Sequence, residues 1–186
     1  MVYKIFLILS SFFLIFFLIL FNACGNKEGD KTQTQIEKKE FAWKDDVSLS
    51  DIPDFPVKGM IRGKEVRFQY INFERWRGTN DNVINFSVVK PEQDCGFIEN
   101  FTGFTVMNKG AAIEQGEFLK PKFSDDPKTY NAFYKLEGGK STAEWNCALK
   151  VESISGKIVK GQIALFFNDT TKSWVAGKFE AIICNN

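Results

Sequence analysis

From about Pro56 to its end the chain alternates apolar and polar residues with period two, in short runs separated by Gly, Asn, Asp and Lys. That period puts successive side chains on opposite faces of a strand, so it predicts strands and tight turns rather than helices. The C-terminus shows it most clearly. Trp145, Cys147, Leu149 and Val151 alternate with Asn146, Ala148, Lys150 and Glu152. After a Ser155-Gly156-Lys157 turn, Val159, Gly161, Ile163, Leu165 and Phe167 share a face; after Asn168-Asp169-Thr170-Thr171, so do Val175, Gly177, Phe179, Ala181 and Ile183. These runs predict a three-strand meander. Upstream, residues 57–61 and 65–73 flank Arg62-Gly63-Lys64 as a hairpin, and residues 82–90 set Ile84, Phe86 and Val88 on one face before Pro91. FTGFTVMN, AIEQGEFL and NAFYKLEG are further strands. Closely spaced strands with no long helical window predict an all-β domain, an antiparallel β-sandwich with a β-barrel as the alternative.

Two segments of different character precede this domain. Residues 5–21 are apolar apart from Ser10 and Ser11, follow a single Lys4, and lead to the small Ala23 before Cys24. This is the pattern of a secretory signal peptide. The rival is an uncleaved transmembrane helix, although seventeen residues at about 1.5 Å each reach roughly 25 Å, short of a ~30 Å hydrocarbon core. The stretch Leu20-Phe21-Asn22-Ala23-Cys24 resembles a bacterial lipobox, in the loosened form found in spirochaete lipoproteins. The resemblance implies cleavage before Cys24 and acylation of that cysteine, palmitate included. Gly25 in the next position implies an outer-membrane lipoprotein of the cell envelope. At about 0.8 kcal/mol per buried CH₂, several acyl chains hold a protein firmly to a membrane. Residues 24–50 are polar and charged, and predict a disordered tether of roughly 25–30 Å. The expected organisation is therefore a signal peptide over 1–23, a tether over 24–50 and a β-domain over 51–186.

The domain carries a second resemblance. Asp94-Cys95-Gly96 closes one strand, and the last strand reads V-x-G-x-F-x-A-x-x-C from Val175 to Cys184. Both features are similar to those of a loosely defined class of bacterial lipoprotein domains, over residues 57–184. The resemblance implies a fold and brings no chemistry with it.

Composition narrows the function. The 186 residues fit about one domain. Removing residues 1–23 takes away Lys4 and no acid, leaving 23 of the 24 basic residues against 23 acidic ones. With no positive excess there is little to displace counterions, so a nucleic-acid partner is not expected. Histidine is absent, which removes Ser-His-Asp and Cys-His catalysis and the HExxH zinc site. No CxxC, Walker loop, G-x-G-x-x-G or GxSxG stretch is present, and no metal or other cofactor is expected. The acidic turns Asn80-Asp81-Asn82, Ser124-Asp125-Asp126 and Asn168-Asp169 suit turn geometry without a calcium ion.

With Cys24 acylated, Cys95, Cys147 and Cys184 remain, one more than a single disulfide needs. Cys147 opens one strand of the meander and Cys184 closes the strand two further on, which places them about 20 Å apart. A disulfide requires Cα atoms within about 7 Å. Cys95–Cys184 is the expected bridge and Cys95–Cys147 the alternative. Cys147 would then be a buried free thiol.

One surface candidate stands out. Phe73-Glu74-Arg75-Trp76-Arg77-Gly78 sets an aromatic between Arg75 and Arg77, and with Trp145 and Trp174 it could form an aromatic-basic rim for a protein or glycan. The plainer reading makes Trp76 a lid on the core with the arginine stems along its edge. The sequence thus points to a lipid-anchored envelope protein that binds or supports without catalysis. Its alternatives are a carrier holding a small hydrophobic ligand in a barrel-like cavity, and an enzyme using carboxylates or the Cys147 thiol.

Overall fold

The computed structural model describes residues 41–76, 78–98, 102–136 and 139–184. Within them the period-two runs form eleven strands: β1 (Lys58–Ile61), β2 (Lys64–Arg67), β3 (Tyr70–Arg75), β4 (Asn82–Ser87), β5 (Gly103–Asn108), β6 (Gly116–Lys120), β7 (Tyr130–Leu136), β8 (Gly139–Lys140), β9 (Trp145–Ser155), β10 (Ile158–Phe167) and β11 (Trp174–Cys184). The β1–β2 connection is two residues long, and Arg62 and Gly63 both take positive φ, the turn whose twist matches that of its strands.

The strands join in one sheet in the order β6-β9-β10-β11-β3-β4-β5-β7-β8. β11 forks along its length. Trp174, Val175 and Ala176 pair with β1, whereas Ile182, Ile183 and Cys184 run parallel to Asn72, Phe73 and Glu74 of β3. The remaining strand pairs are antiparallel, so the expected antiparallel sheet is mixed at this one junction. The sheet curls until β6 and β7 approach, where the Phe118 ring stacks on Tyr130 with centroids 3.8 Å apart. The fold is all-β as expected, and the two layers facing each other across the core are halves of one curled, barrel-like sheet.

The inward faces form the core. Phe86, Phe104, Ile163, Leu165, Phe167 and Val175 are fully buried there, with Phe179 beside them. Each such side chain contributes roughly 1.5–3 kcal/mol of burial. Glycine makes room at one crowded point. Gly161 lies opposite Phe179, beside a register shift at Lys160, and a Cβ at Gly161 would come within 2.5 Å of the Lys150 carbonyl and 2.7 Å of Phe179 Cζ.

A second apolar cluster lies on the outer face of the meander. Ala148, Ala164 and Ala176 align across β9, β10 and β11, flanked by Phe166 and Trp174. Residues 41–52 cover this stripe. Phe41 stacks on Phe166 at 5.7 Å and meets Trp174 at 4.8 Å; the Trp43 indole donates to the Phe167 carbonyl at 3.0 Å, and Val47 is buried. The expected tether over 24–50 is therefore corrected at its end, because residues 41–50 belong to the packed domain. Their charges face solvent while Phe41, Trp43, Val47 and Leu49 find the shallow alanine surface, a partner that local composition could not reveal. The signal-peptide reading of 1–23, the acylation of Cys24 and the tether over 24–40 lie outside the described residues.

Cys95 and Cys184 form a disulfide, with Cα atoms 5.3 Å apart and a sequence separation of 89. Cys147 is a buried free thiol, as expected.

Candidate functional site

Asn72, Asn85, Thr105 and Phe133 stand opposite one another across β3, β4, β5 and β7, because the register pairs each with the next. Their neighbours in sequence, Phe73, Ile84, Phe86, Phe104, Val106, Ala132 and Tyr134, point into the core, so period two turns this row outward. A solvated sheet face would be expected there. Instead Asn72 is 3% exposed, Asn85 8% and Thr105 1%.

The row is held by its own hydrogen bonds. The Thr105 hydroxyl donates to Asn85 Oδ1 at 3.1 Å. The Asn85 amide donates to Asn72 Oδ1 at 3.1 Å and to Glu74 Oε1 at 3.0 Å. The Asn72 amide donates to Glu74 Oε2 at 3.3 Å and to Cys184 Sγ at 3.8 Å. Buried polar groups that pair in this way avoid the cost of lost hydration.

Above the row is a cleft of about 550 Å³, within the range of small-molecule sites. One wall is aromatic: Trp76 meets Phe133 edge-on at 6.5 Å, and the Lys140 ammonium lies 5.1 Å from the Trp76 centroid and 4.2 Å from that of Phe133. Trp76 is positioned by the β3–β4 connection, where its N–H donates to the Asp81 carbonyl and its own carbonyl accepts from Thr79 N–H. The opposite wall is Cys95, Gly96, Phe97 and Ile98. The disulfide ties this wall to β11. The Tyr70 hydroxyl accepts from Cys95 N–H at 2.8 Å and donates toward Cys184 Sγ at 3.5 Å. Burial pushes the Tyr70 phenol up, which keeps it a donor.

The residues singled out from sequence divide. Arg75 and Trp76 line the cleft. Arg77 lies outside the described residues. Trp145 is buried in the core beside Phe118, with the Lys120 ammonium 5.0 Å above its ring, and Trp174 is buried under Phe41 on the opposite face of the sheet. The three tryptophans do not share a surface, because their strand-end positions fall on different faces once the sheet curls. The residues that sequence reasoning missed are Asn72, Glu74, Asn85 and Thr105. Their signal was polarity at alternate places in apolar strands, which also marks any solvated face.

The other chemical groups have structural duties. Burial pushes the Cys147 thiol far up, and Lys120 offsets this only in part, so the thiol stays protonated. Lys120 is 4% exposed, and its ammonium donates to the carbonyls of Lys122, Phe123 and Trp145 at 2.6–2.8 Å. The turn carboxylates cap backbone: Asp81 accepts from Gly110 N–H, Asp125 from Lys122 N–H and Asp126 from Lys128 N–H. Asp169 accepts from Ser173 N–H, from both the N–H and the hydroxyl of Thr171, and from the Tyr134 hydroxyl. Burial would raise the Asp169 carboxyl, but these hydrogen bonds outweigh it and hold the group below its ordinary value. No family model, curated protein or solved structure matches the chain.

Proposed function

We propose that this chain is a lipid-anchored envelope protein whose β-domain binds a small polar ligand in the cleft over Asn72, Asn85 and Thr105, without chemistry. One observation carries the reading: a self-paired polar row, almost fully buried, floors an open cleft with an aromatic wall. A fold that needed only stability would gain as much or more from apolar residues at these positions. A recognition surface needs polar atoms whose positions are fixed before the ligand arrives.

The same cleft argues against catalysis. Glycoside hydrolysis without histidine uses two carboxylates, and Glu74 is the one carboxylate among the described lining residues. It is already engaged by two amides. The carrier reading fares less well than the cleft, since Phe86, Phe104, Phe167 and Phe179 fill the space inside the curl. The anchor rests on the lipobox-like stretch ending at Cys24.

Two experiments test the proposal. Labelled palmitate should enter the wild-type chain and not Cys24→Ala; equal labelling of both defeats the anchor. Mixtures of saccharides, amino acids and nucleosides, titrated into the ¹⁵N-labelled full chain in detergent micelles, should move the Asn72 and Asn85 side-chain amide signals and the Trp76 indole signal together. Mixtures that leave all three in place defeat the cleft.

A further inference from the structure

We infer that the ligand of this cleft is an acidic saccharide, a sugar that carries a carboxylate. The inference rests on the reading of the cleft as a binding site and adds the class of molecule. It starts from a count of hydrogens. Thr105 has one donor hydrogen, and Asn85 takes it. Both amide hydrogens of Asn85 go to Asn72 and Glu74, and those of Asn72 go to Glu74 and the disulfide sulfur. The amide orientations are forced, because turning Asn85 over would set its oxygen against Asn72 Oδ1 and Glu74 Oε1, which are both acceptors. What the floor has left is lone pairs, on Thr105 Oγ1, the two amide oxygens and the Glu74 carboxylate. The ligand must donate.

Donors come as ammonium or guanidinium groups, or as hydroxyls, and the charge of the walls chooses between them. Arg75 and Lys140 line the cleft against Glu74, the one carboxylate among the described lining residues. Among the described residues neither Arg75 nor Lys140 makes an ion pair. A cation would meet this excess of like charge, and Lys140 already lies over the Trp76 and Phe133 rings where a ligand cation would sit. Hydroxyl donors suffer no such conflict, and an anionic group on the same molecule gains from Arg75 and Lys140. The parts of the Trp76 and Phe133 side chains that Lys140 leaves open to the cleft offer apolar surface to the C–H face of a sugar ring, whose hydroxyls then reach the floor. A polyol with one apolar face and one carboxylate answers every feature of the cleft.

The test uses the full chain in detergent micelles with three probes: methyl β-glucuronide, methyl β-glucoside and spermidine. The glucuronide should bind at least ten-fold more tightly than the glucoside, and should move the Asn72, Asn85 and Trp76 signals. Lys140→Gln should erase most of that ten-fold preference, weakening the glucuronide far more than the glucoside. Thr105→Val, which removes an acceptor while keeping the shape, should weaken both sugars by about ten-fold. Thermal unfolding of each variant checks that it has folded. Equal binding of the two sugars, or spermidine moving the same signals more strongly than the glucuronide, overturns the acidic-saccharide assignment and leaves the cleft as a binding site. If neither these probes nor the broader mixtures move the three signals, the assignment and the binding site fall together.

Discussion

Replacing Asn85 by alanine and replacing the whole row by valine should have opposite consequences. Asn85 is the central link: it accepts from Thr105 and donates to both Asn72 and Glu74. Asn85→Ala leaves three groups one partner short on a face that water reaches only through the cleft. At about 1 kcal/mol for each group, the variant should lose about 3 kcal/mol. At roughly 4 °C per kcal/mol for a domain of this size, its midpoint should fall by roughly 10 °C. The triple variant Asn72→Val, Asn85→Val, Thr105→Val removes donors and acceptors together, places β-branched residues in strands, and leaves Glu74, which is half-buried, to be hydrated from the cleft. It should lie within about 1 kcal/mol of the wild type while failing to bind any ligand that the wild type binds. Thermal and urea unfolding followed by circular dichroism, at one pH and protein concentration, give both numbers. A triple variant as unstable as Asn85→Ala would refute the reasoning, since the polar row would then be something the fold needs rather than something the fold tolerates for recognition.

Other parts of the structure yield sharper numbers. Replacing Cys95 and Cys184 by serine opens a loop spanning 89 residues and should cost about 4 kcal/mol in the loop-entropy account, with binding lost as the Cys95–Ile98 wall is released; urea unfolding that does not change would contradict it. Asp169 has a folded-state value below its unfolded one of about 3.9, so its stabilisation is fully present above that value and is lost as pH falls through the folded value. The stability gap between wild type and Asp169→Asn should thus be largest near neutral pH and shrink below about pH 4, and a gap that stays constant with pH would count against the hydrogen-bonded carboxylate. Gly161→Ala forces a methyl group onto the Lys150 carbonyl and the Phe179 ring and should cost about 1–3 kcal/mol; a neutral effect would mean that the bulge relaxes freely.

Local signals carried far in this chain. The meander followed from alternation alone and the Arg62-Gly63 turn from its residues, while the length of strand separating Cys147 from Cys184 excluded that pair and left Cys95–Cys184, the bridge observed, beside Cys95–Cys147. Features that depend on register did not. Asn72 and Thr105 are 33 positions apart, and only the pairing of β3 with β4 and of β4 with β5 places them in one row. A one-residue slip in either ladder would send those side chains to the other face. The parallel junction of β3 with β11 is more remote still, pairing Asn72 with Ile182 across 110 positions. Residues 41–50 look like tether because they follow the charged, polar run of residues 25–40 and show no period-two alternation of their own, and the alanine stripe that receives Phe41 and Trp43 lies more than a hundred positions away. Trp145 and Trp174 begin strands as expected, yet a strand end does not reveal whether its side chain faces the core, a covering segment or solvent.

If the polar row serves recognition, a ligand must touch it. The most direct measurement is the set of intermolecular nuclear Overhauser effects between methyl β-glucuronide and the ¹⁵N-labelled full chain. Cross-peaks are expected from the sugar to the Asn72 and Asn85 side-chain amides and to the Trp76 indole, absent in the triple valine variant. Cross-peaks confined to the seam where Phe118 meets Tyr130, with the Asn72 and Asn85 signals unmoved, would contradict that role.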